Sequence, residues 1–119
     1  MNDDQIYLKY IGEGIERIEE YTVGGKETFL ASLMVQDATI RRLQTLTETT
    51  QRLSDELKAR ASQIDWRGIS GLRNILVHEY LGGIDLDIIW DVIERDLPEL
   101  KEKVKALLTE LKEQEGNGN

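Results

Sequence analysis

Cysteine is absent from the chain, which removes disulfides, thiolate nucleophiles and thiolate metal sites together. Long apolar runs are missing too. None approaches the roughly 20 residues needed to cross a bilayer, and Met1-Asn2-Asp3-Asp4 lacks the basic and apolar regions of a secretory signal. A cytoplasmic location, with no membrane partner, is the expectation. No stretch alternates apolar and polar residues over a strand's length, and nothing repeats at a fixed period, so neither a sheet nor a repeat array is anticipated. Positive charge is scarce: 15 lysines and arginines face 23 carboxylates, for a net charge of -8. Such a balance argues against a protein that coats nucleic acid non-specifically, because that affinity comes from neutralising many phosphates. A transient RNA contact then depends on local placement, and Arg67 and Arg73 lie in a stretch less acidic than the C-terminal third. The acidic excess also suits a basic partner protein.

What is present reads as helix. With 39% hydrophobic and 32% charged residues, the composition fits amphipathic helices around one core rather than a disordered chain. Tyr7, Ile11, Ile15, Ile18 and Tyr21 recur at helical spacing, with Asp3 or Asp4 as a candidate cap. Gly24-Gly25 interrupts that pattern; residues 27 to 60 contain no glycine or proline and read as one long helix with room for a kink. Asp65 before Trp66 resembles an N-cap, and Ile69, Leu72, Leu76 and Val77 carry a third helix toward Gly82-Gly83. Asp85 caps a further helix, and Pro98 suits the start of a last one containing Leu100, Val104, Leu107, Leu108 and Leu111. The expected architecture is all-α, an antiparallel bundle of four to five helices formed by residues 1 to 115, with residues 116 to 119 a disordered tail.

Chemistry concentrates in Arg73-Asn74-x-x-x-His78-x-Tyr80. His78 is the single histidine, and its unperturbed pKa of about 6.5 makes it acid and base near neutrality. Standing alone, such a histidine more often caps a carbonyl or fills a half-buried gap, Arg73 more often pairs with a carboxylate such as Glu79, and Tyr80 more often edges a core. Together the four bring a cation, an amide, an imidazole and a phenol into one short segment. Metal-free RNA cleavage needs a base for the 2′-hydroxyl, an acid for the leaving 5′-oxygen and a cation for the phosphoryl charge. Arg73 suits the last role through its forked guanidinium; His78 suits either of the first two. On an ideal helix Asn74 and His78 lie about 40° apart and Arg73 about 140° from His78. Convergence therefore requires the helix to unwind near His78, a second chain to complete the site, or both. Because one chain supplies one imidazole, a homodimer with two His78 side chains at one cleft is expected. No cofactor or structural metal is anticipated: Gly24-Gly25-Lys26 lacks the rest of a phosphate loop, and Asp85, Asp87 and Asp91 are not spaced as a calcium loop.

Read in full, Trp66-Arg67-Gly68-Ile69-Ser70-Gly71-Leu72-Arg73-Asn74-Ile75-Leu76-Val77-His78-Glu79-Tyr80, followed by Ile84-Asp85, Trp90 and Asp96-Leu97-Pro98, closely resembles the HepT family of HEPN-domain ribonucleases. That resemblance implies a helical-bundle homodimer acting as a metal-independent endoribonuclease toxin, paired with a minimal nucleotidyltransferase antitoxin. It implies further that Arg73 and His78 are catalytic, that Asn74 positions the RNA substrate, and that Tyr80 receives AMP from the antitoxin, adding charge and bulk beside His78. The competing expectation is a catalytically silent helical module that binds the nucleotidyltransferase or another protein, since a fold does not by itself establish activity.

Overall fold

In a computed structural model, which describes residues 3 to 79 and 83 to 117, the chain is built of helices. They are α1 (Asp3–Tyr21), α2 (Gly25–Ala31), α3 (Leu33–Thr50), α4 (Asp55–Arg60), α5 (Trp66–His78), α6 (Leu86–Asp91) and, after a π-helical turn at Val92–Asp96, α7 (Leu97–Asn117). No strand occurs among the described residues. The all-α bundle expected from periodicity is therefore what the sequence forms.

The frame is three long helices. α1 buries Leu8, Ile11, Ile15 and Ile18, one stripe at three- and four-residue spacing, against Ile40, Leu43 and Leu46 of α3 and Leu97, Val104 and Leu107 of α7. Polar ties at the ends fix the directions. Asp4, in the first turn of α1, accepts from the Ser54 amide and hydroxyl (2.9 and 2.6 Å) just beyond α3, so α1 and α3 are antiparallel. Gln5 donates to Glu115 (2.8 Å) and Lys101 to Glu19 (2.7 Å), so α7 runs antiparallel to α1 as well. α5 packs on the outer side of α3.

Several local expectations hold. Gly25, at φ 86, supplies the left-handed turn that ends the α1 segment. Asp65 accepts from the Gly68 amide at 2.9 Å, and Asp85 accepts from Asp87 and Ile88 at 2.9 and 3.4 Å, each capping its helix.

Three others are corrected. Asp3 and Asp4 lie within the first turn of α1 rather than at its cap, and Asp4 is engaged with Ser54 instead. Residues 27 to 60 are not one helix. At Ser32 the backbone is extended, its hydroxyl accepts from the Val35 amide at 3.2 Å, and Gln36 donates to the carbonyls of Phe29 and Leu30 (2.9 and 3.1 Å). These side chains replace the helical hydrogen bonds lost there, and the bend lets Phe29 bury fully, with its ring 5.5 Å from that of Trp90. A second break follows Thr50, where Ser54 caps α4 by accepting from Leu57, and Leu53 and Leu57 turn into the core. Finally, Pro98 does not start a separate helix. Helical structure runs on from Leu86, widened so that the Leu97 amide reaches back to the Val92 carbonyl. Proline lacks an N–H and its ring crowds the carbonyl four residues back, and the π turn just before it gives that extra room.

Candidate functional site

α5 carries the motif. Its start is set by the Asp65 cap and by Trp66, whose indole N–H is shared between the carbonyls of Lys58 (3.2 Å) and Ala61 (3.1 Å) at the end of α4. Leu76 is fully buried, and Trp66, Ile69 and Leu72 pack against the core. Arg67, Gly71, Asn74, Ile75, Val77 and His78 consequently face outward.

Two glutamines seven residues apart, Gln44 in α3 and Gln51 at its C-cap, fasten α5 along its length. Gln51 donates to the Ser70 hydroxyl at 2.8 Å, and Gln44 donates to the Leu76 carbonyl at 3.1 Å. The second contact matters more. A carbonyl in the last turn of a helix has no regular intrahelical partner, and this one belongs to the turn that carries His78. Sequence reasoning missed both glutamines; their only sequence signal is the seven-residue spacing that puts two amides on one face of α3.

His78 is exposed and is the last residue of α5; the helix closes with the Glu79 amide donating to the Ile75 carbonyl at 2.9 Å. The expectation that would have dismissed it, an imidazole walled off in apolar packing, does not describe this residue. Asn74 is exposed one turn earlier on the same face. Arg73 is half-buried and makes no ion pair with Glu79 or any other carboxylate among the described residues; its Nη1 lies 3.4 Å from the Asn74 side-chain oxygen, and its buried Nε has no hydrogen-bond partner. A buried, unpartnered guanidinium N–H is a costly arrangement that an incoming acceptor would relieve.

Regular helix continues through His78, so the chain does not unwind early enough to swing Arg73 round to the imidazole. Arg73 and Asn74 are brought together; Arg73 and His78 remain about 140° apart around the helix. Tyr80 lies outside the described residues. A cavity of about 410 Å³ sits elsewhere, between α3, α5 and the start of α7, lined by Leu46, Ile69, Leu72, Leu97 and Lys103 among others, and no motif residue lines it. Asn74 and His78 thus lie exposed on the outer face of α5, with Arg73 half-buried beside them. Asp85 is used as a cap and Asp87 pairs with Lys26 at 3.3 Å, so that acidic stretch is already engaged.

An all-α bundle that carries an arginine, an asparagine and a histidine on one outer helix is consistent with a HEPN-like domain. Comparison with known proteins narrows this: the model of the ribonuclease HepT-like family matches residues 11–107, and the chain belongs to that family. It is similar to "Gamma-glutamylcyclotransferase and putative RNase" of Methanocaldococcus jannaschii, 38% identical over 116 residues, which are 97% of this chain but 52% of that protein. It is also similar to "Probable ribonuclease HepT" of Thermococcus cleftensis (35% identical, covering 85% of this chain and 92% of the relative) and to "Putative RNase" of Caldanaerobacter subterraneus subsp. tengcongensis (32%, covering 91% and 96%). The chain therefore spans about half the length of the first of these relatives and nearly all of the other two. No solved structure matches it. No described helix is long and apolar enough to cross a membrane.

Proposed function

We propose that this protein is a metal-independent endoribonuclease toxin whose cleavage chemistry is carried by Arg73 and His78, with Asn74 positioning the strand. The observation that carries the reading is the state of α5: an exposed imidazole at its end and an arginine with no carboxylate to neutralise it. In the proposed step one His78 removes the proton from a ribose 2′-hydroxyl, the 2′-oxygen bonds to phosphorus, and the bond to the 5′-oxygen breaks as that oxygen gains a proton. The products are a 2′,3′-cyclic phosphate and a free 5′-hydroxyl. Arg73 stabilises the charge that builds on the phosphoryl oxygens.

Two proton transfers need two groups, and Arg73 and His78 of one chain point apart. A homodimer brings a second His78 to a shared cleft as the second proton-transfer group and lets Arg73 of one copy serve the imidazole of the other. In the same reading Tyr80, two residues beyond His78, is the position that a minimal nucleotidyltransferase antitoxin modifies with AMP, and the added phosphate and nucleoside obstruct the cleft.

The test is incubation of the full chain with mixed-sequence RNA in EDTA, beside Arg73→Ala and His78→Ala. Cleavage by the unsubstituted protein alone supports the assignment. Identical behaviour of all three, or loss of cleavage with EDTA, overturns it in favour of a silent binding module or a metal-dependent reaction. Mass spectrometry after incubation with the nucleotidyltransferase and ATP checks the modification: whole AMP increments should fall on Tyr80 and vanish in Tyr80→Phe.

A further inference from the structure

Along α5 the residues Arg67, Gly71, Asn74 and His78 follow one another at intervals of four, three and four, so they form a single exposed stripe. At about 1.5 Å per residue it extends some 16 Å from the first to the last. Three features of it are unexplained by the fold. Arg67 is exposed and has no ion pair or side-chain hydrogen bond among the described residues, in a molecule with an excess of carboxylates. α5 itself contains no carboxylate. Gly71 sits in the interior of a helix, where glycine is unfavourable relative to alanine, yet a Cβ placed there would meet nothing within 4 Å. Gly68 makes the contrast: a Cβ on it would run into the Asp65 cap, at 2.3 Å from Oδ2. Gly68 has an intramolecular reason to be glycine and Gly71 has none among the described residues, so the bare backbone at Gly71 lies open to close approach from outside the chain.

Resting on the nuclease reading above, we infer that this stripe is the track on which the RNA strand lies: Arg67 holds a backbone phosphate away from the scissile one, and Gly71 lets the sugar-phosphate chain settle against the helix before it reaches Asn74 and His78. The cation at one end and the imidazole at the other give the strand a fixed direction along α5. Arg67 is then a substrate-binding residue that sets affinity and not the chemical step, because its contact is the same in the ground state and the transition state.

A labelled 2′-O-methyl RNA oligonucleotide of mixed sequence binds without being cut, so affinity is measured apart from catalysis. Fluorescence anisotropy in EDTA at several salt concentrations should show Arg67→Gln binding about tenfold more weakly, with the slope of log K against log salt shallower by about 0.7, as for one lost single-strand phosphate contact. With cleavable RNA the same variant should raise KM and leave kcat within about twofold. Gly71→Ala should fold normally and raise Tm by about 3 °C through its better helix propensity, while weakening RNA binding severalfold. Unchanged affinity and salt slope in both variants overturns the track. So does a Gly71→Ala variant whose light-scattering mass falls by half, because the bare backbone would then serve a second copy of the chain. If the unsubstituted protein fails to cut RNA but its binding still depends on Arg67 and Gly71, the track stands and the nuclease assignment falls; active protein indifferent to both positions gives the reverse.

Discussion

Helices α5 and α7 pack into the same core and treat charge in opposite ways. α7 distributes five glutamates and four lysines over its 21 residues, and the acids and bases answer one another: Lys101 meets Glu19 at 2.7 Å, Lys103 meets Glu99 at 2.8 Å, and Glu110 meets Arg60 at 2.7 Å. α5 carries Arg67 and Arg73 with no acid, and neither arginine finds a carboxylate among the described residues. Among the described residues, the side-chain hydrogen bonds that tie it to the α3 segment come from the neutral amides of Gln44 and Gln51. α7 thus answers much of its own charge with nearby partners, although Lys105 and Lys112 stand in no ion pair among the described residues. α5 keeps its positive charge available, which is how a chain of net charge -8 still presents a place for a phosphate.

If that contrast is functional, activity and stability separate by helix. Arg73→Ala and His78→Ala should lower RNA cleavage by roughly 10²- to 10⁴-fold, the range expected for losing a charge stabiliser or a proton-transfer group. His78→Ala should shift Tm by no more than about 2 °C, because the side chain is exposed and makes no hydrogen bond or ion pair among the described residues. A collapse of Tm would mean the imidazole is structural and the contrast false. Leu43→Ala, at a fully buried position of α3, should do the opposite. It should cost about 2 to 5 kcal/mol of stability in denaturant titrations, with cleavage per folded molecule unchanged.

Between these extremes lies Gln44, which touches no substrate group but caps the Leu76 carbonyl beside the His78 turn. Gln44→Leu should cost about 1 kcal/mol and lower kcat more than it alters KM, since a loosened last turn misplaces the imidazole. Gln51→Leu removes an exposed contact to Ser70 and should cost less, with kcat nearly unchanged. Equal effects of the two on kcat would reduce Gln44 to one more stabilising contact.

How much of this could be read from the residues alone follows from which interactions leave a periodic trace. The α1 stripe of Ile11, Ile15 and Ile18 and the caps Asp65 and Asp85 are local, and spacing reveals them. The break at Ser32 leaves no such trace, because Phe29, Leu33, Ile40 and Leu43 keep helical spacing across it while Ser32 and Gln36 quietly substitute for lost backbone bonds. The π turn is marked only by Pro98, a residue that equally suits a helix start. At the site, Arg73, Asn74 and His78 stand out as residue types at a spacing. Gln44 does not, since a glutamine on a helix gains meaning only when the partner helix and its direction are known. The unpaired state of Arg73 was likewise illegible: with 23 carboxylates in the chain, a salt bridge was the better expectation, and only the placement of α5 on the side of α3 removes it.

The smallest expected effect tests the ion-paired surface of α7. The hydrogen bond from Lys101 to Glu19, aided by the nearby Glu16 and Glu102, raises the lysine above its ordinary pKa of 10.5 despite some opposing desolvation. A base whose pKa is higher folded than unfolded binds its proton more tightly in the folded state, so the pair's contribution is complete below pH 10.5 and is lost as pH climbs through the raised value. Because Glu19 is about half exposed (48%), solvent screening limits the pair to well under about 1 kcal/mol. Glu19→Gln should therefore lower the denaturation midpoint slightly at pH 7, and the difference from the unsubstituted protein should fade in alkaline solution and shrink with added salt. RNA binding should be untouched throughout, for this seam lies between α1 and α7, away from the helix that keeps its arginines free.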